Sequence, residues 1–487
     1  MPHLSRASDC KERHEPALSK AGAKGNCPGN PGSHHVARVS ADSEQGGSER
    51  PRTVFGLTAS AGCGDARDVS TEDHLAPART ASPLGAPGLA VVFPSTAALP
   101  IPSRSLALDH ALLASAGVPD RKISRQHAEL TRRGPRVYLT DVGSRNGTWV
   151  DGQRLSAHQR VTLEDGAVIR AGCTLLVYRE QLGARPEPEW PDELATTFGL
   201  TAVARDVEAL AIRPEPAVLI RGETGTGKEA LSRLVAARLR PGRPVVAVNV
   251  AGIPDGVFEA QLFGHERGAF TGAGQSAVGV LEAHDGGSVI LDELGELPLA
   301  LQAKLLRTIE NREVQPIGAQ RPRAVDVLLI AATQRELDAE VEAGRFRADL
   351  LARFPARLEL PPLRERREDV FAVVQRLAAG RGEHYDPDQV DVEAIERLML
   401  EPWPTNVRGL YLALQSVARL TPPPQLRLAD VERVLGPPTL RPPLSRQTAL
   451  EAIAAQGSKS AAARALGVSR SALYRALEAP SSRDEPH

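Results

Sequence analysis

Gly222-Glu223-Thr224-Gly225-Thr226-Gly227-Lys228-Glu229 sets three glycines and a lysine at the spacing of a phosphate-binding loop. The glycines let backbone N–H groups close on phosphate oxygens, and a helix opening at Lys228 adds the positive end of its dipole. Lys228 then reaches the terminal phosphates. Downstream, Val289-Ile-Leu-Asp292-Glu293 is an apolar strand that ends in two carboxylates. A strand buried on both faces delivers Asp292 to a Mg²⁺ ion and Glu293 to an attacking water. The chemistry implied is hydrolysis of a nucleoside triphosphate. Glu229 stands where many such loops carry Ser or Thr, so the protein ligand for the metal falls to Asp292.

These groups need a scaffold, and the sequence supplies the outline of one. From 194 to 421, apolar runs such as Ala217–Ile220, Val245–Val248 and Val325–Ala331 alternate with amphipathic helical stretches. That pattern predicts an α/β domain on a mainly parallel sheet, with a small helical lid from about 365. Residues 86–182 read instead as short alternating strands between glycine turns, an all-β sandwich. Residues 445–480 read as short helices with one glycine turn, an all-α module. Stretch 183–193 and the proline-rich 422–444 are expected to be linkers. Residues 1–85 hold too little apolar surface to offset chain entropy and are expected to be a disordered tail.

The 487 residues carry a net charge of −1, so any attraction to nucleic acid must be local. Cys10, Cys27, Cys63 and Cys173 form no metal or disulfide pattern, which fits a reducing compartment. No stretch has the length and apolarity of a signal peptide or membrane helix, so a cytoplasmic protein with no membrane partner is expected.

Leu262-Phe-Gly-His-Glu-Arg-Gly268-Ala269-Phe270-Thr271-Gly272-Ala273 resembles the loop by which AAA+ bacterial enhancer-binding proteins grip sigma-54 RNA polymerase. The resemblance covers about 194–421, and in that family Gly-Lys-Glu is the usual ending of the phosphate loop. It implies ATP and Mg²⁺ as cofactors. It implies further that Asn249 restrains the catalytic Glu293 and that Gln334 stands where the family has a γ-phosphate-sensing Asn. Within Gly344-Arg-Phe-Arg347-Ala-Asp-Leu-Leu-Ala-Arg353, Arg347 and Arg353 are the candidate arginine fingers. Fingers act in trans, hence a homo-oligomer, by analogy a hexameric ring. Arg408 in Trp403-Pro-Thr-Asn-Val-Arg408-Gly matches the nucleotide-contacting arginine of the lid, with Thr405 for Gly and Gly409 for Glu.

The flanking segments resemble two further families. Ile123-Ser124-Arg125-Gln-His127 and Asp141-Val-Gly-Ser-Arg-Asn146-Gly-Thr148 match a forkhead-associated (FHA) domain. Ser124, Arg125, Asn146 and Arg104 (in Ser103-Arg104, where the family has Gly-Arg) are then the phosphothreonine-peptide contacts, with His127 as a brace. Ser458 to Leu477 resembles a Fis-type helix-turn-helix. Six basic residues (Arg441, Arg446, Lys459, Arg464, Arg470, Arg475) face two acidic ones (Glu451, Glu478) across 441–478. Ser469, Arg470, Ser471, Tyr474 and Arg475 are the DNA-contact candidates.

The combined expectation is an ATP-dependent transcriptional activator. It would bind upstream enhancer DNA, remodel the sigma-54 holoenzyme closed complex, and answer to a phosphothreonine-containing protein, a Ser/Thr kinase among the candidates. Two alternatives stand beside it: an AAA+ remodeller of a non-transcription substrate, and a DNA-binding phosphopeptide adapter whose ATPase Gln334 and Thr405 have weakened or silenced.

Overall fold

A computed structural model describes residues 85–183, 194–251, 254–437, 446–466, 473, 474 and 477. The expected tail, the 183–193 linker beyond Gly183, and Cys10, Cys27 and Cys63 lie outside them. No helix among the described residues is long and apolar enough to cross a membrane.

The first unit is the expected β-sandwich. One sheet has the strand order Ala97–Pro100, Gly88–Phe93, Thr174–Arg179, Val168–Ala171, Thr148–Val150, Gln153–Arg154. The other runs Ser105–Leu108, Ala128–Arg133, Arg136–Asp141, Arg160–Thr162. Side chains alternate across a strand, and here both faces of the first sheet are covered. Leu89, Val91, Ile169, Leu176 and Tyr178 point into the sandwich core. Ala90, Val92, Val168, Leu175 and Val177 point outward and join a second core with the lid helices.

The α/β domain carries a five-stranded, all-parallel sheet in the order Val245–Asn249, Ser288–Asp292, Leu328–Thr333, Ala217–Arg221, Ala356–Glu359. Helix Lys228–Leu239 covers one face, burying Leu231, Leu234 and Val235. Helix Leu299–Asn311 covers the other, burying Leu301 and Leu305. A parallel sheet covered on both faces explains why its strands read as continuous apolar runs.

The lid comprises helices Val370–Ala379, Val392–Leu400, Asn406–Leu420 and Leu428–Leu435. The last of these overturns part of the expected 422–444 linker. After Pro422-Pro-Pro424, Leu426 and Val431 are fully buried in the lid core, so the chain returns to the domain before leaving it.

The sandwich docks on this lid. Phe93 meets Phe371 edge-on, with ring centroids 5.0 Å apart. Arg170 donates to Glu396 at 2.6 Å and to Glu393 at 3.0 Å, and Arg179 pairs with the buried Glu368. Burying Val92, Phe93, Leu175 and Val177 contributes about 1.5–3 kcal/mol each. A buried ion pair nets little against its desolvation. The apolar face therefore holds the contact and the ion pairs fix its register.

Candidate active site

Strand Ala217–Arg221 ends in the phosphate loop, and helix Lys228–Leu239 begins where it closes. Gly225 and Gly227 hold φ of +76° and +105°, the left-handed region that glycine adopts without strain. A β-carbon on Gly225 would also sit 2.4 Å from the Thr405 carbonyl oxygen, so the loop is pressed against the first turn of the lid helix. Lys228 Nζ donates to the Gly222 and Glu223 carbonyls at 3.1 and 3.2 Å. Burial pushes its pKa down, and the charges of Glu293, Asp292 and Glu223 partly offset this. The sheet thus gathers the lysine and both carboxylates into one field.

Asp292 ends its strand in register with Asn249 on one side and Ala332 on the other. Glu293 leaves the strand at φ +58°. Asn249 caps its own turn, its side-chain oxygen accepting from Ala251 N at 2.8 Å, and no hydrogen bond among the described residues joins it to Glu293. Gln334 lies at the loop, accepting from the Thr224 hydroxyl, so the longer amide reaches the nucleotide loop itself. Arg408 starts the lid helix beside Gly225, its Cβ 3.2 Å from where a Gly225 β-carbon would stand. Thr405 and Gly409 are one departure, since a β-carbon at 409 would approach Thr405 Oγ1 to 2.7 Å.

Sequence reasoning missed Asn406. Buried at φ +54°, it donates to Thr224 O at 3.0 Å and Glu223 Oε2 at 3.2 Å, and accepts from Leu363 N at 2.7 Å. Its position two residues before Arg408 was the available signal.

Arg347 and Arg353 are not brought to the phosphate loop of their own chain. Arg347 pairs with Asp349 at 2.6 Å and Arg353 Nε donates to Glu310 at 2.9 Å. Both sit exposed on the surface.

The residues fit a bound nucleotide: glycine turns at positive φ, a lysine at a helix start, and two carboxylates at a strand end. No cluster of three or more His, Cys, Asp or Glu among the described residues could cage a metal. A Mg²⁺ ion would need one or two carboxylates together with substrate phosphates, and Asp292 at the strand end is one such carboxylate.

Strands Gly264–His265 and Ala277–Val278 form a short ladder at the base of the intervening loop, whose first residues also pair with Ile317. Gly268 and Gly272 have φ of +80° and +106°, and Gly268 N bonds Ala273 O at 2.8 Å to close it. Phe270 is 44% exposed at the tip, with only His265 stacked nearby at 5.0 Å, and Thr271 is exposed beside it.

Residues 196–358 match the sigma-54 interaction domain. Residues 102–172 match the FHA domain, and 447–479 match the Fis family of bacterial regulatory proteins. From N- to C-terminus the chain thus carries an FHA domain, a sigma-54 interaction domain and a Fis-type domain. It is 43% identical over 249 residues to the response regulator FleR of Pseudomonas aeruginosa, covering 49% of this chain and 51% of that one. The regulatory protein LuxO of Vibrio cholerae is 42% identical over 231 residues, 45% of this chain and 44% of its own. GlrR of Escherichia coli is 35% identical over 260 residues, 53% and 59%. The chain spans about half the length of the curated relatives it matches.

In the FHA domain two loops converge on Ser124. Its Oγ accepts from Arg145 N at 3.1 Å, while Asn146 Nδ2 donates to Lys122 O. Arg125 stands exposed alongside. His127 braces both loops: Nδ1 accepts from Ser124 N at 3.1 Å, so Nε2 carries the proton toward Gly147 O at 3.1 Å. Burial pushes its pKa down and keeps it neutral for that task.

Arg104 does not belong to this group. Ser105 pairs with Thr131 and Leu108 with Ala128, and Arg104 O accepts from Arg132 N, which puts Arg104 at the far end of the strand from Ser124. The strand's other end brings His110, whose N–H donates to Ser124 O at 3.3 Å. The apolar alternation over 105–108 gave no direction for matching the Gly-Arg pair.

Asp141 organises the second FHA loop, accepting from Gly143 N, Ser144 N, Ser144 Oγ and Thr148 Oγ1 at 2.6–2.9 Å. Burial alone would raise its pKa, but these hydrogen bonds hold it below the ordinary 3.8. A folded-state value below the unfolded one stabilises the fold at pH above the unfolded value. That contribution is lost as pH falls below about 4 toward the folded pKa. Asp141→Ala is expected to cost about 2–4 kcal/mol at pH 7 and less at pH values below the unfolded carboxylate range. Urea unfolding at a series of pH values, followed by Trp149 fluorescence in a background with Trp190→Phe and Trp403→Phe, measures the difference.

In the Fis-type domain, helices Arg446–Gln456 and Lys459–Leu466 pack through Ala449, Ala462, Ala463 and Leu473. Gly457 turns between them at φ +70°. Tyr474 is 44% exposed, with Lys459 Nζ 4.6 Å from its ring centroid. Ser469, Arg470, Ser471 and Arg475 lie outside the described residues.

Proposed function

We propose that the protein is an ATP-dependent transcriptional activator that binds upstream DNA through its Fis-type domain and remodels the sigma-54 RNA polymerase closed complex. The observation that carries this reading is the Gly268–Ala273 loop, which presents Phe270 and Thr271 to solvent from the same domain that holds the phosphate loop. In this reading a Mg²⁺-bound ATP supplies the phosphoryl bond to be cut. Backbone N–H groups of 222–227 and Lys228 hold its phosphates, and Asp292 offers its carboxylate to the metal. Glu293 takes the proton of the attacking water. Gln334, through Thr224, and Arg408, beside Gly225, report the state of the phosphates to sheet and lid. Arg347 and Arg353 would leave Asp349 and Glu310 to complete the site of a neighbouring subunit in a hexameric ring. Ser124, Arg125 and Asn146 would receive a phosphothreonine peptide, from a Ser/Thr kinase or another phosphoprotein.

Thr271→Ala tests the reading. With sigma-54 holoenzyme on a premelted promoter probe, the variant is expected to hydrolyse ATP within about two-fold of wild type, yet open less than roughly a tenth of the complexes. Equal opening by variant and wild type would remove the loop from the coupling. The adapter reading requires that wild type fail to hydrolyse ATP even on DNA. The contact of Gln334 with Thr224 and the mutual fit of Thr405 and Gly409 favour a working site over that alternative.

A further inference from the structure

Between the FHA domain and the phosphate loop runs a strap, residues 363–369, wound as two successive 3₁₀ turns. One side grips the loop. Arg364 donates twice to the Glu223 carboxylate, at 2.8 and 2.7 Å, and Arg366 donates to Thr226 O at 2.8 Å. The other side grips the FHA domain. Arg179 donates to Glu365 O at 2.7 Å and to Glu368 at 2.9 Å, and Arg367 reaches Asp151 and Gly166 O at 3.1 Å each. Asp369 anchors the end, accepting from Thr197 N at 2.7 Å. Asn406 clamps the start at Leu363 N.

The charges in the strap have no slack. Arg366, Glu368 and Asp369 are buried, and Arg364 Nε and Arg366 Nε lie buried with no hydrogen-bond partner. A buried charge that loses its partner is strongly destabilised, so the strap cannot slide off Arg179 and find substitutes while keeping its hold on Glu223 and Thr226.

We propose that the FHA domain sets the shape of the phosphate loop through this strap, with Arg179 a positioning residue for a nucleotide site in another domain. Nucleotide affinity and the grip of Arg179 on the strap are then coupled, and each biases the other by the same factor. The coupling rests on the reading of 222–228 as a nucleotide site.

The test uses the full-length protein and a fluorescent ADP analogue, with amide hydrogen exchange at 222–228 measured without nucleotide. Arg179→Leu is expected to weaken ADP-analogue binding at least about five-fold and to lower loop protection. Arg170→Leu breaks the docking contact at Glu396, away from the strap, and is expected to lower thermal stability while leaving both readouts within about two-fold. Should Arg179→Leu not fold, Arg367→Ala, at the strap's half-buried rim, carries the same expectations. Unchanged affinity and protection on releasing the strap, tighter binding, or equal loss from Arg170→Leu would each overturn the proposal. If wild type binds no ADP analogue, the nucleotide reading falls. The strap itself is then judged by exchange alone, with lowered protection sustaining its hold on the loop and unchanged protection ending it.

Discussion

Glu293→Gln is expected to bind ATP within about two-fold of wild type while turnover slows by about 10²- to 10⁴-fold. The amide keeps the shape of the carboxylate but cannot take a proton from water. Lys228→Ala should behave differently, because the lysine ammonium sits at the loop, within the fields of Glu293 and Asp292. Its removal deletes the cation that offsets phosphate charge, and binding itself is expected to fail. Titration with a fluorescent ATP analogue separates the two variants, and a phosphate-release assay measures turnover. Intact turnover in both would end the assignment of the site.

The second large effect concerns the arginines that the isolated chain ties to its own surface. Arg347→Ala is expected to lower ATP turnover by about 10³- to 10⁵-fold, the range for losing a finger in other phosphoryl-transfer enzymes. Because the finger would serve a neighbouring subunit, this loss can be complemented. When Arg347→Ala and Glu293→Gln subunits mix at random, about a quarter of the ring interfaces join an intact Glu293 to an intact Arg347. Turnover should therefore reappear in the mixture, although each component alone is inactive. The same mixture with Arg353→Ala assigns the role between the two residues. No recovery in either mixture would end the role in trans, and wild-type turnover in both single variants would make the arginines ordinary surface ion pairs, as their bonds to Asp349 and Glu310 already allow.

Much of the site was legible because its pieces are local. The loop 222–228, the strand end at Asp292 and the hexapeptide 268–273 each declare their chemistry within a few residues, and the sheet needs only its alternating pattern. What escaped the sequence depends on pairing at a distance. Arg104 was matched by residue type, and only the register of Ser105–Leu108 against Ala128–Thr131 reveals that it faces the wrong end. Asn406 and the strap arginines act through the chain's return to the loop more than 130 residues later. The lid's last helix was hidden behind three prolines. One signal was visible and unused: Gly88–Phe93 is apolar at every position, and every residue of it is buried. A sandwich strand with one wet face should alternate, and the lack of alternation announced a second partner.

That doubly buried strand bears on how such a protein could be assembled from parts. FHA domains are often treated as interchangeable readers, to be shuffled between chains by recombination or by an engineer's choice of cut site. This one is not portable. Excised at 86–182 it would expose Val92, Phe93, Leu175 and Val177 as a greasy wall and should self-associate. A foreign reader with a polar outer sheet, grafted in its stead, would leave Phe371, Val374 and Ile395 facing water. Heredity must pass the sandwich and the lid on together.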